Sequence, residues 1–271
     1  MKTRIVTAAI LVPVLFLVTL VLPKMVAAVL FSVMMAIAAY ELLYRTGLVR
    51  HTRLVLYSCA MAFAVTMWSY AEAIHAWLVL LILGYTFLLF AEMMLDHVKV
   101  RFEKLGLCFF AGLVMPFLLS ALVRILMLYT GRYVILIPFV VAFLSDSGAY
   151  FVGLKFGRHK LAPVVSPNKT IEGALGGIAA AMVGMLLYAL ILDLIAPQLS
   201  VHYGLALLYG LVGSAAGAFG DLCFSIIKRQ TGIKDYGNLI PGHGGILDRF
   251  DSLMAVAPLM EAFLLLIPMV V

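Results

Sequence analysis

Charge is scarce in this sequence. Asp, Glu, Lys and Arg make up 12% of its 271 residues, where soluble domains carry about 25%. Apolar residues make up 65%, and the mean hydropathy is +1.14. So little polar surface cannot cover a water-soluble fold, which leaves lipid as the solvent. Cysteine is scarce too: Cys59, Cys108 and Cys223 lie in apolar runs without paired spacing. That excludes a disulfide framework or a cysteine metal site and reads as three small core side chains. No internal repeat, low-complexity tract or soluble domain is visible. The short alternating segments of a transmembrane barrel are absent, and open strands cannot satisfy their edge amides in lipid. What remains is an all-α fold, a polytopic helical bundle in a membrane.

A spanning helix needs roughly 20 apolar residues. About nine such segments are present, at roughly 5–22, 24–44, 53–70, 76–95, 106–128, 133–152, 172–195, 204–228 and 250–270. The opening Met-Lys-Thr-Arg and apolar run is read as the first helix, not a cleaved signal, because Val14 to Leu22 leads straight into the second segment. If the N-terminus is cytoplasmic, nearly all of the 19 Lys and Arg fall in inner loops, leaving Lys24 and Arg132 outside and Arg124 within a segment. That bias predicts N-in, C-out. The formal charge of +6 is therefore spread along the inner face. Such a distribution suits anionic lipid headgroups and a charged nucleotide, and no nucleic acid is expected. Two inner loops, 153–171 and 229–249, are long, polar and rich in Gly and Pro, as functional loops are.

Carboxylates at membrane depth are costly, by about 3 kcal/mol on insertion scales, and need a reason. Asp146 and Asp221 sit within the sixth and eighth segments, and Asp248 and Asp251 open the ninth. Asp221 and Ser225 are four apart and share a helix face, with Lys228 one turn on. Asp248 and Asp251, three apart, are expected to share another. Glu41 and Glu92 lie near inner helix ends and are expected to pair with nearby Arg or Lys. The first loop reads Gly157-Arg-His-Lys160, then Ser166-Pro-Asn-Lys169-Thr-Ile-Glu-Gly173. Ser166 as N-cap and Pro167 as first helical residue would aim free amides and Lys169 at an anion. The second holds Ser225, Lys228, Arg229, Lys234 and Asp235, then Pro241-Gly242-His243-Gly244-Gly245-Ile-Leu-Asp248-Arg249-Phe-Asp251. Its glycines would let backbone amides approach a phosphate closely.

The run from Gly220-Asp221 to Asp251, with S-x-x-K-R, K-D and P-G-H-G-G-x-x-D-R-x-D, resembles the signature of phosphatidate cytidylyltransferases. The S-P-N-K-T-x-E-G stretch and the Asp146 segment match the same pattern, and the resemblance is strongest over roughly 140–258. It implies transfer of the cytidylyl group of CTP to phosphatidate, with Mg²⁺ as cofactor, in a homodimer bound among membrane lipids. It further implies that Asp221 and Asp248 hold the metal, and a second, monovalent cation such as K⁺ is compatible with it. Candidate phosphate contacts are Lys169, Lys228, Arg229 and Arg249, with Ser166, Lys234, Gly242, Gly244 and Gly245 lining the substrates. His243 either assists the leaving group or shapes the loop. Asp146, Asp235 and Asp251 would hold basic groups or the second cation, and Ser225, with Asp146 and Asp251, is a further candidate for the substrate site. Residues 1–104 are expected to serve packing or dimer contact, and 105–271 to form the catalytic region. The expected location is the bacterial plasma membrane, with the active site facing the cytoplasm. Two other readings share part of this chemistry: a CTP-dependent lipid kinase and a transporter with intramembrane ion sites.

Overall fold

The computed structural model describes residues 2–71, 77–242 and 244–271. Helix α1 spans Lys2–Phe16 and continues through a π-helical turn, Leu17–Val21. After the Pro23 break comes α2, Lys24–Arg45, whose last turn, Glu41–Arg45, is also π-helical. Then follow α3 (Thr52–Trp68), α4 (Leu78–Leu95), α5 (Phe102–Met127) and α6 (Gly131–Phe156). A hairpin, β1 (Lys160–Ala162) and β2 (Ser166–Thr170), precedes α7 (Ile171–Ile195) and α8 (Tyr203–Gln230). A short α9 (Leu247–Phe250) and α10 (Leu253–Leu266) complete the chain.

Among the described residues, six of these helices are long and apolar enough to cross a membrane, and three further apolar ones, Ala9–Val21, Thr52–Trp68 and Leu253–Leu266, are shorter. Each apolar segment of the sequence thus coincides with a helix among the described residues. The reason is lipid itself: a backbone in hydrocarbon must satisfy its amides internally, and a helix does so. Only 17% of the apolar window of α4 is buried, and Val79, Phe87 and Met94 stand exposed on it. A surface of that kind suits hydrocarbon, not water. Cys59, Cys108 and Cys223 are all unpaired, as their spacing implies.

The chain divides into two compact units. The first comprises Met1–Met127 with Gln230–Phe250, the second Leu128–Arg229 with Asp251–Val271. In the first, α2 packs along α3, which also meets the π-helical part of α5. Tyr85 ties this core together, donating to the Cys108 carbonyl at 2.8 Å and sharing a 2.9 Å hydrogen bond with Ser58. In the second, α6 and α7 form the tightest pair, with small residues where the backbones meet.

Candidate active site

In the second unit the 153–171 loop folds differently from the expected helix start. Ser166–Thr170 is the second strand of an antiparallel hairpin, with Lys160 opposite Thr170 and Ala162 opposite Ser166. Ser166 is therefore no N-cap and Pro167 no first helical residue. Strand pairing holds the backbone extended through residue 170, and Thr170 caps α7 instead, its hydroxyl accepting from the Gly173 N–H at 3.1 Å. Glu172 turns back to accept from the Arg158 N–H at 3.0 Å and the His159 N–H at 3.1 Å, and meets His159 Nδ1 at 2.5 Å. The hairpin thus closes on the first turn of α7 and presents Lys169 from a fixed base.

Lys169 Nζ forms an ion pair with Asp221 Oδ2 on α8. The i,i+4 relation holds as expected: the Ser225 hydroxyl donates to Asp221 Oδ1 at 3.2 Å. One turn further, Lys228 Nζ lies 3.6 Å from Asp251 Oδ2, both largely buried at 13% side-chain exposure. Asp251 occupies the turn between α9 and α10, so it does not share a continuous helix with Asp248. Its amide-linked neighbour Ser252 donates an N–H to Asp251 Oδ1 at 2.9 Å. Burial, and next the negative charge of Asp221, push the Asp251 carboxyl well above its ordinary range; Lys228 opposes the shift and Asp146 adds to it. Asp146, Asp221 and Asp251 therefore feel one another's charge. Arg229 donates from Nε to the Val165 carbonyl at 3.1 Å, which ties the end of α8 to the hairpin.

Mg²⁺ takes one or two protein carboxylates and completes its shell with water and substrate phosphates. The second unit's donors fit that demand: Asp221 is a hard, partly open carboxylate, at 23% side-chain exposure, already facing a cation in Lys169. Among the described residues, no three His, Cys, Asp or Glu side chains make a cage able to hold a metal alone. An ion completed by a substrate is the kind these residues suit.

In the first unit, the described residues of 230–250 wrap around two buried carboxylates. Asp248, 6% exposed, accepts at Oδ2 from the N–H groups of Tyr236 at 2.8 Å and Gly245 at 2.9 Å. Glu41, 3% exposed, accepts from the N–H groups of Ile246 at 3.1 Å and Leu247 at 2.8 Å. The Gly245 amide, expected to face a phosphate, is thus directed at Asp248. Gly242 and Gly244 adopt positive φ, 76° and 85°, which other residues seldom do. Lys234, Asn238, Gly242, Gly244 and Arg249 are among the walls of a cavity of about 530 Å³. Lys234 and Arg249 give it two cationic donors. His243 lies outside the described residues.

Glu41 was expected to meet an Arg or Lys; its oxygens take backbone amides instead, while Glu92 does meet Arg53 at 3.4 Å. The amide partners of Glu41 are more than 200 residues away, so no local pattern announces them. Thr170 did carry a signal, since Thr caps helices as Ser does.

A profile described as the Cytidylyltransferase family matches residues 2–267. The phosphatidate cytidylyltransferase of Bacillus subtilis (strain 168) is 38% identical over 276 aligned residues, covering 98% of each chain. Phosphatidate cytidylyltransferases of Staphylococcus epidermidis and Staphylococcus saprophyticus are similar over 135 residues, at 47% and 44% identity. In those two alignments the chain spans about half the length of the staphylococcal relatives, 50% in each.

Proposed function

The chain belongs to the cytidylyltransferase family, and from that membership we propose that it transfers the cytidylyl group of CTP to phosphatidate, giving CDP-diacylglycerol and pyrophosphate for phospholipid biosynthesis. The observation that carries this reading is the likeness to the Bacillus subtilis relative along 98% of both chains. The proposal includes a homodimer in the bacterial plasma membrane, with its site at the cytoplasmic face, where phosphatidate of the inner leaflet and soluble CTP are both within reach.

A phosphate oxygen of phosphatidate attacks the α-phosphorus of CTP. The new O–P bond forms as the α–β anhydride bond breaks, and pyrophosphate departs with the electron pair. The nucleophile is already an anion at neutral pH, so no strong base is required. The work of the protein is to position reactants and offset charge. Lys234 and Arg249 face a cavity large enough for a nucleotide's phosphates. Lys169, Lys228 and Arg229 are further phosphate donors, each held in the structure by a carboxylate or a carbonyl that a phosphate oxygen can replace. Of the four carboxylates in the motif, Asp221 and Asp248 are the proposed holders of Mg²⁺, on the family resemblance alone. When bound, that ion supplies neutralising charge on the phosphate oxygens. Asp146 and Asp251 are proposed to balance the lysines or a second, monovalent cation.

The test is the fate of two labels. Protein purified in detergent receives Mg²⁺, phosphatidate and CTP labelled at the α or the γ phosphate. The expected result is α label in lipid and γ label in pyrophosphate. A γ label in lipid with release of CDP would instead identify a lipid kinase, and label in neither product would overturn transfer altogether.

A further inference from the structure

We propose that Glu41 is a positioning residue of the nucleotide site, holding the 236–249 backbone so that Lys234 and Arg249 meet the triphosphate. The proposal rests on the cytidylyltransferase reading above. A carboxylic side chain that is 3% exposed needs polar partners, or its burial is strongly unfavourable. Glu41 finds them in the N–H groups of Ile246 and Leu247, at 3.1 and 2.8 Å. These amides open α9, where no preceding turn can accept from them. Glu41 therefore caps, from the far end of α2, the turn that carries Asp248 and Arg249.

The surrounding residues are shaped for this contact. A Cβ at Gly245 would fall on the Glu41 carboxylate, and one at Gly237 would meet Glu41 Oε1. Both positions leave room that only hydrogen provides. The π-helical turn of α2 carries a second tether: Arg45 donates to Asn238 Oδ1 at 2.9 Å. Thr7 on α1 adds a third, donating to the Pro241 carbonyl at 3.0 Å. Gly237 and Asn238 are themselves cavity walls, so the tethers act on the backbone that shapes the cavity. An acid buried in an otherwise apolar helix marks function by default, and this one reaches the site through the loop without touching substrate.

Glu41→Gln keeps the volume but turns an NH₂ group toward one of the two amide donors. The expected result is a rise in KM for CTP of about 10- to 100-fold, the range seen when a partner behind a site is lost. KM for phosphatidate should stay near wild type, and the melting temperature in detergent should fall only modestly, because one buried amide loses its acceptor. Without nucleotide, hydrogen exchange in a peptide covering 236–250 should be faster than in wild type. Gly245→Ala should produce the same pattern, and adding it to Glu41→Ala should bring little further loss, because the group it collides with is gone. The inference is overturned if Glu41→Gln leaves CTP KM and exchange unchanged, or if KM rises equally for both substrates. Failure of both Glu41→Gln and Glu41→Asp to accumulate in membranes would assign Glu41 to folding, and overturns it equally. If wild type moves no cytidylyl label, the functional reading fails, whereas exchange in 236–250 still decides whether Glu41 holds the loop.

Discussion

Asp221 and Asp248 are the same residue type in different surroundings. Asp248 is 6% exposed and accepts two backbone N–H groups, so part of its carboxylate is bound into the fold. The Asp221 side chain is 23% exposed and meets a lysine and a serine hydroxyl. Asn at 221 retains the shape and an acceptor for Ser225, and leaves no buried amide unpaired. Asp221→Asn should therefore insert and melt like wild type while losing turnover by about 10²-fold or more, the scale of one lost charge-stabilising group. Activity near wild type in that variant would remove Asp221 from the metal and phosphate chemistry. This residue was legible because its partners are local or share a motif: Ser225 is one turn away. Glu41 was not, because its role depends on Ile246, Leu247 and two glycines that only folding brings near it.

Among elements, the helices were readable and their termini less so. A long apolar run in lipid has one solution, which is why segments and helices coincide. Ser166-Pro167 could begin a helix or run along a strand, since Pro is tolerated both at a first helical turn and at a sheet edge. The deciding partner was Lys160, opposite Thr170, and strand pairing between two short polar segments leaves no hydropathy trace. The packing of α6 on α7 makes a prediction at this scale. A Cβ at Gly177 would lie 2.7 Å from the Ser145 carbonyl and 3.2 Å from Ala149 Cβ, inside van der Waals contact. Neither neighbour is the end of a flexible chain, so the helices must separate. Gly177→Ala should destabilise by about 1–3 kcal/mol, read as a lower melting temperature in detergent. Gly84→Ala on α4 meets nothing within 4 Å and should be neutral or slightly stabilising. Equal melting of the two variants would show that the α6–α7 contact is looser than its backbone distances imply.

For the molecule as a whole, the placement of charge predicts the placement of the site. Lys and Arg retained on the cytoplasmic side set the orientation of membrane helices, and here eight of the 19 lie in or beside the two long loops that carry the candidate phosphate contacts. On the proposed topology the same residues would have two roles, one in orienting the bundle and one in attracting anionic lipid and CTP to one face. Val98, 74% exposed, lies in the segment between α4 and α5 that holds Lys99 and Arg101, and is expected inside. Tyr129, 101% exposed, lies between α5 and α6 and is expected outside. With the three native cysteines replaced, single cysteines at these positions should answer oppositely to a membrane-impermeant maleimide. Tyr129→Cys should label on intact cells and Val98→Cys only after permeabilisation. The reverse pattern would turn the whole bundle over and place the Gly-rich loop away from cytosolic CTP, which the proposed reaction cannot survive. Equal labelling of both would mean that α5 does not cross, and every loop downstream would change sides with it.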